Sequence, residues 1–318
     1  MDFYTKSGEK LDLCQRGARK SVDLKKVTFS TDDDGQLKKF FYDKKPMKVS
    51  PLGKGGAGAV YKLSRGDVEL VWKVFYDDDE MESELEAFRT LEDEQAGSCR
   101  VLSEGRERMG IVMQIMDGSM RDFLPQKLLH PETVLGVCVA VAESLQCLWR
   151  KRLFYSDVKP ANTLYKCLED GKVDVVLGDV GDIVDLREMN STNRYVETFA
   201  YPYEAERLDF KVDTEFAYDD LTSTLTVNTV EDHMVWSVAC FFFTMLTPFE
   251  AVKYLTHARR TTKAAFLEKR REMAGLLDKA PYSDDDRFAW FAAAIVDPTS
   301  VRLSEVGKAL QDENKALN

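Results

Sequence analysis

The sequence predicts an α+β chain in two lobes, a small β-rich N-lobe followed by a larger helical C-lobe. Three observations carry that expectation. Between positions 47 and 75, and again at 110–116, β-branched and aromatic residues gather in short runs separated by turn residues, which is how strands read. Positions 131–150 and 235–246 are long, apolar and poor in charge, as buried helices are. No internal repeat is present, which suits two separate cores with a cleft between them.

Taken in order, residues 1–46 are polar and lysine-rich, with a turn signal at Thr31-Asp-Asp-Asp-Gly35, and read as an N-terminal extension. Strands are expected at 47–52, 59–63 and 68–75. In 77–94, Met81, Leu85, Phe88 and Leu91 recur at helical spacing among charged residues, so this is an amphipathic helix. Strands return at 100–102 and 110–116. Helices follow at 131–150, 235–246, 286–296 and 304–311, with a short buried strand at 173–177. Residues 182–230 show no clear period. The expected domain is 47–312, divided into lobes at 116/117, with a tail at 313–318.

Composition narrows the functional classes. A net charge of −11 argues against a general nucleic-acid binder, which carries a basic face. The first 50 residues hold twelve Lys and Arg against eight Asp and Glu, so the remainder of the chain carries −15. That balance favours a basic substrate or partner, although acidic surfaces also serve solubility. Six cysteines without a Cys-x-x-Cys pair suit a reducing compartment better than a disulfide framework or a zinc site. The N-terminus has no apolar signal core, and no stretch is expected to approach the roughly 18 apolar residues of a membrane span. A cytoplasmic or nuclear protein that binds neither nucleic acid nor membrane is the expectation.

The chemistry lies in four ordered motifs. Gly53, Lys54, Gly55, Gly56, Ala57, Gly58 and Val60 form a glycine loop between two strands, where backbone N–H groups can approach phosphate oxygens. Glycine turns of this pattern also occur in ordinary hairpins. A dinucleotide-binding loop is disfavoured, because that version runs into a helix. Lys73 stands among Val71, Trp72, Val74 and Phe75, and a buried ammonium needs an anionic partner. The nucleotide phosphates are one candidate and Glu84 is the other, with Glu82 and Glu86 as alternatives. In Tyr155-Ser-Asp-Val-Lys-Pro-Ala-Asn162, Asp157 can accept or orient the proton of an attacking hydroxyl. Lys159 can neutralise phosphate charge, and the Asn162 amide oxygen can hold a metal. Asp179, in Asp-Val-Gly, adds a carboxylate, and hard oxygen ligands beside phosphates imply Mg²⁺. A glycine loop, a lysine, an Asp-x-Lys-Pro-x-Asn segment and an Asp-x-Gly, in that order, are the parts that move a phosphoryl group from ATP.

Over residues 47–312 the chain resembles eukaryotic-type protein kinases. The resemblance implies that Gly53 to Val60 cover the ATP phosphates, with Lys73 as anchor and Glu84 as its helix partner. It implies Asp157 as the catalytic aspartate and Asn162 and Asp179 as metal ligands. Met113, Gln114 and Met116 would form the hinge against adenine, with Leu164 beneath the base. Thr198 to Glu204 resembles the end of an activation segment, Trp236-Ser237 and Pro248-Phe249 a central helix and its exit, and Arg302 the arginine that pairs with Glu204. Lysine at 159 is the serine/threonine pattern, so the implied activity is a serine/threonine protein kinase using ATP and Mg²⁺ on a protein substrate. Leu177-Gly-Asp-Val-Gly and Asn162-Thr-Leu-Tyr-Lys are also similar to kinases of large DNA viruses, which would place the protein in a host cell.

Several positions depart from the family pattern. Tyr155-Ser156 stands where His-Arg is usual, and Val180 replaces a phenylalanine. Val71 narrows the adenine ceiling. Met234 occupies the usual place of an aspartate that Asp232 could supply, and the 297–302 spacing is one residue long. None removes a phosphate- or metal-binding group. A pseudokinase, a nucleotide-binding or scaffold module on the same fold, is the alternative, with a small-molecule phosphotransferase as a second.

Overall fold

A computed structural model of the chain describes residues 1–5, 7–11, 13, 22, 26–31, 37–55, 58–92, 110–124, 129–155, 157–170, 172–185, 230–247, 251, 263–278 and 286–305. The chain divides into two compact units, one of Leu13–Gly118 and Tyr165–Ile183, the other of Met1–Asp12, Ser119–Leu164 and Val184–Asn318. The extension expected at 1–46 therefore does not stand apart but is shared between the units.

The first unit is rich in strands. β1 (Val27–Thr31), β2 (Leu37–Tyr42) and β3 (Lys45–Pro46) form an antiparallel sheet within the expected extension. Its hairpin turns through Asp43 and Lys44 at φ 49° and 59°, the left-handed pair that matches strand twist. Asp-Lys lacks the usual glycine there, which hides the hairpin from a reading of turn residues. Val22, Val27, Phe40 and Met47 share one core with Leu63, Leu70 and Val112. The second sheet runs in the order β4 (Lys48–Lys54), β5 (Gly58–Arg65), β6 (Val68–Phe75), β7 (Gly110–Gln114), with every neighbouring pair antiparallel.

After β6, Asp77 Oδ1 accepts from the Asp79 N–H and opens α1 (Asp78–Glu92), whose first turn is acidic as the helix dipole favours. Met81 and Leu85 on α1 pack against Phe75 and Ile111. A third small sheet runs β11 (Val173–Leu177), β10 (Thr163–Cys167), β8 (Gly118–Ser119).

The second unit holds α2 (Pro131–Arg150), α3 (Val230–Leu246), α4 (Lys263–Asp278) and α5 (Asp286–Val296). β9 (Leu153–Tyr155) pairs with β12 (Ile183–Asp185). α3 packs against α2 and α5, and α4 against α5. From Met234 to Phe243 every side chain on α3 is fully buried, so its apolarity all round reflects a central place in this core.

α2 corrects the expectation about membrane-length stretches. It has 20 residues, and its mean hydropathy reaches 1.3, long and apolar enough to cross a membrane by composition. Ten of its residues are buried within the unit, so the same apolarity serves packing. α4 was not anticipated. The expected strand at 100–102 and most of the helix at 304–311 lie outside the described residues.

Residues 1–5 and 7–11 belong to a hairpin in the helical unit. The Thr5 N–H donates to Glu9 O (2.7 Å), and the Leu11 N–H to Phe3 O (2.7 Å). Gly8 turns the chain at φ 83°. The hairpin docks at the start of α2, where the His130 N–H donates to Tyr4 O (2.8 Å) and the Tyr4 N–H to Thr133 Oγ1 (3.0 Å). Phe3 is 1% exposed, with its ring 5.9 Å from that of Phe123.

Candidate active site

Within the strand-rich unit, β6 carries Lys73 at a position paired with Val60 on β5 and Ile111 on β7. Its Nζ donates to Glu84 Oε2 at 2.5 Å and to Asp179 Oδ1 at 2.6 Å. Glu84 is 2% exposed, because Met81, Glu84, Leu85 and Phe88 share the buried face of α1. Glu82, one of its alternatives, is exposed. Burial alone would lower the Lys73 pKa. The nearby Glu84 and Asp179 carboxylates, with their hydrogen bonds, outweigh that penalty and raise it above the ordinary lysine value.

Asp179 adopts left-handed backbone angles (φ 55°, ψ 60°), a conformation that Asp tolerates better than most residues, and its side chain is 49% exposed. Gly181 follows because a Cβ there would lie 3.1 Å from Glu84 Oε2. Val180 is 1% exposed and fills an apolar position.

The glycine loop joins β4 to β5. Gly53 and Lys54 end β4, and the Gly55 N–H donates to Gly58 O at 2.9 Å. A Cβ on Gly53 or Gly55 would meet nothing within 4 Å, so these two leave their backbone open to a ligand. Gly58 has a different reason. A Cβ there would lie 2.0 Å from Val74 O, so this glycine serves the close approach of β5 to β6 instead of a ligand's approach. Gly56 and Ala57 lie outside the described residues. Leu52, 53% exposed at the loop entrance, is a candidate contact that the sequence reading missed. Its signal was an apolar residue on the edge strand directly before the glycines.

Met113 and Gln114 end β7, with Met113 paired to Val71. Met116 follows, half-buried. This segment is pinned from β10: Lys166 Nζ donates to Gln114 Oε1 (2.9 Å), and the Cys167 N–H to Asp117 Oδ2 (2.8 Å). The Asp117 N–H donates to Tyr165 O at 2.9 Å.

Within the helical unit, the turn after β9 gathers Asp157, Lys159 and Asn162. Lys159 Nζ donates to Asp157 Oδ2 at 2.5 Å, and Asn162 Nδ2 donates to the same oxygen at 2.7 Å. Asn162 Nδ2 also lies 3.2 Å from Asp157 O and 3.2 Å from the Tyr155 hydroxyl. The turn is closed by the Asn162 and Thr163 N–H groups, both donating to Lys159 O. Asp157 and Asn162 are buried, and Leu164 is half-buried on β10. Ser156 lies outside the described residues.

Each unit carries an oxygen donor of the kind a hard divalent cation takes. Asn162 turns Nδ2 inward, and its Oδ1 accepts no hydrogen bond among the described residues, while Asp179 is half exposed. Both would offer oxygen, as Mg²⁺ requires. Among the described residues no three His, Cys, Asp or Glu side chains gather as a metal cage.

The burial expected of Arg302 is corrected, while its expected partner Glu204 lies outside the described residues. Arg302 was expected to be largely buried against Glu204. Its side chain is 59% exposed, with Nη1 3.5 Å from Glu231 Oε2 on α3. The physical reason is the turn at Pro298–Ser300, which Asp297 caps by accepting from the Thr299 N–H, and the Arg302 N–H then donates to Glu305. Among the described residues a buried arginine of this region is Arg270 on α4, 3% exposed, its guanidinium 4.6 Å from the Trp236 ring and Nε donating to Ile295 O (2.6 Å). Asp232 on the first turn of α3 is buried, and desolvation raises its pKa against the opposing pull of Arg302. Trp236 and Ser237 are buried on α3. Thr198, Glu204, Pro248 and Phe249 lie outside the described residues.

An ammonium held between carboxylates and a carboxylate–lysine–amide cluster are equipment for phosphate and metal charge. Residues 47–287 match the protein kinase domain family, and the chain belongs to it. It is 26% identical over 173 residues to mitogen-activated protein kinase kinase 8 of Arabidopsis thaliana, covering 52% of this chain and 53% of that protein. It is 30% identical over 171 residues to the serine/threonine-protein kinase PknF of Mycobacterium tuberculosis, covering 48% of this chain and 36% of the relative. The chain thus spans about half the length of the plant relative and about a third of the mycobacterial one.

Proposed function

We propose that the chain is an ATP- and Mg²⁺-dependent serine/threonine protein kinase that transfers the γ-phosphate of ATP to a protein hydroxyl. The observation that carries this reading is the ammonium of Lys73, buried and held between Glu84 and Asp179. A buried cation with two carboxylates is costly to keep for stability alone, and a phosphate-anchoring role accounts for it.

In this reading the open backbone at Gly53 and Gly55 approaches the phosphates, while Leu52, Val60 and Val71 cover the base. Lys73, oriented by Glu84, presents its charge to phosphate oxygens. The backbone of Met113 to Met116 receives adenine, held in place by the bonds from Lys166 and Cys167, and Leu164 lies beneath the base. Asp157 accepts the proton of the substrate hydroxyl, and Lys159, bound to Asp157, supplies positive charge to the group in transfer. Asn162 and Asp179 would hold Mg²⁺, which neutralises phosphate charge when bound. The −15 carried beyond residue 50 favours a basic substrate protein. Lys159-Pro160 and the name of the mycobacterial relative support serine or threonine as acceptor.

Incubation with Mg²⁺-ATP and a generic basic protein, followed by phosphoamino-acid analysis, tests the reading. Phosphoserine or phosphothreonine is the expected product. Nucleotide binding without any transfer would favour the pseudokinase alternative.

A further inference from the structure

Tyr155 first enters as a departure from the family pattern, yet the structure gives its hydroxyl a specific partner. The residue is fully buried at the end of β9, and its hydroxyl oxygen lies 3.2 Å from Asn162 Nδ2. That nitrogen also faces Asp157 Oδ2 at 2.7 Å and Asp157 O at 3.2 Å. An amide nitrogen carries two hydrogens and no lone pair to offer, so the obligate acceptors Asp157 Oδ2 and Asp157 O turn it inward, and the Tyr155 hydroxyl adds a contact from a third direction. Turning the amide over would set Oδ1 against the carboxylate and carbonyl of Asp157, oxygen against oxygen.

We propose that Tyr155 is a positioning residue that holds the Asn162 amide with its oxygen directed away from Asp157 and toward a divalent cation. The inference rests on the kinase reading and deepens it. Asp157 cannot do this alone as firmly, because its Oδ2 is shared with the Lys159 ammonium at 2.5 Å. The phenol reaches the amide from β9, ahead of the turn, and is clamped there by burial. Groups behind a metal ligand typically set metal affinity by about 10–100-fold when removed.

The test uses the full chain, wild type and Tyr155→Phe, with Mn²⁺ as the metal probe and ADP as the nucleotide. Free Mn²⁺ is read by its electron paramagnetic resonance signal, and ADP affinity by calorimetry with and without metal. Tyr155→Phe is expected to weaken Mn²⁺ binding in the ADP complex about tenfold while leaving metal-free ADP affinity within about twofold. Unchanged Mn²⁺ affinity, or equal loss of ADP affinity with and without metal, would overturn the proposal. Should Tyr155→Phe not fold, Tyr155→His, which returns a ring nitrogen as acceptor, is titrated in the same way. Mn²⁺ affinity within about threefold of wild type supports the proposal there, and a larger loss overturns it. A wild-type chain that binds no Mn²⁺ with ADP contradicts the kinase reading itself, a result distinct from a failure of Tyr155 alone.

Discussion

Replacing Glu84 by glutamine removes one charge from the Lys73 cluster while keeping its shape and an acceptor oxygen. Lys73 Nζ lies 2.5 Å from Glu84 and 2.6 Å from Asp179, but only Glu84 is buried, and Asp179 is 49% exposed. Breaking a buried ion pair typically costs about 3–5 kcal/mol, and the lower end applies because Asp179 still holds the ammonium. For a unit of this size that corresponds to a fall of roughly 10 °C in its melting temperature. Scanning calorimetry of Glu84→Gln, Lys73→Met and the double variant provides the measurement. The double variant should lose less than the sum of the singles, by about 1–3 kcal/mol, because the pair is removed together. The pH dependence follows from the sign of the shift. A lysine pKa raised in the folded state gives a stabilisation fully present below its unfolded value and lost as pH climbs through the folded one. The stability gap between wild type and Lys73→Met should therefore stay flat from neutral pH and narrow only above about pH 10.4. Additive single losses, or a gap that closes below pH 9, would show that the Lys73–Glu84 pair does not carry this stability.

Gly58→Ala forces a Cβ to 2.0 Å from Val74 O and should destabilise the β5–β6 pair by about 1–3 kcal/mol or more, whereas Gly53→Ala and Gly55→Ala have open space and should melt like wild type. Phe3→Ala removes a ring that is 1% exposed and should cost about 3–5 kcal/mol in thermal unfolding, so a fragment lacking residues 1–12 should melt lower than the full chain. Arg270→Ala should lower the melting temperature strongly, since it removes a buried guanidinium stacked on Trp236, while the exposed Arg302→Ala should change stability by less than about 1 kcal/mol.

The parts of the site legible in the sequence were those whose signal is local. Lys73 stood out by its apolar flanks, Asp157 and Asn162 by short spacing, and Glu84 by its place on a helical face with Met81, Leu85 and Phe88. α2 and β11 appear at the expected boundaries because long apolar periodicity and a compact valine run leave little ambiguity. Contacts made across long stretches of chain were hidden. Nothing local says that Asp179 meets Lys73, 106 residues away, or that Gly58 exists for Val74. The terminal hairpin escaped notice because Phe3 and Tyr4 are a short aromatic pair in a polar run, and the ring that Phe3 meets, Phe123, is far along the chain. α4 was masked by its Lys-Arg-Arg-Glu run, although Met273, Ala274 and Leu277 lie buried on one face.

Whether Asp157 serves phosphoryl transfer is decided by single-turnover transfer from ATP to a basic protein, comparing wild type with Asp157→Ala in Mg²⁺ and in excess chelator. Loss of a positioned proton acceptor typically lowers rate about 10²–10⁴-fold, so the variant should fall by that factor while both proteins bind ATP, and the chelator should abolish transfer by wild type. Equal transfer by wild type and Asp157→Ala would remove Asp157 from the chemistry, and transfer by wild type that survives chelation would remove the metal.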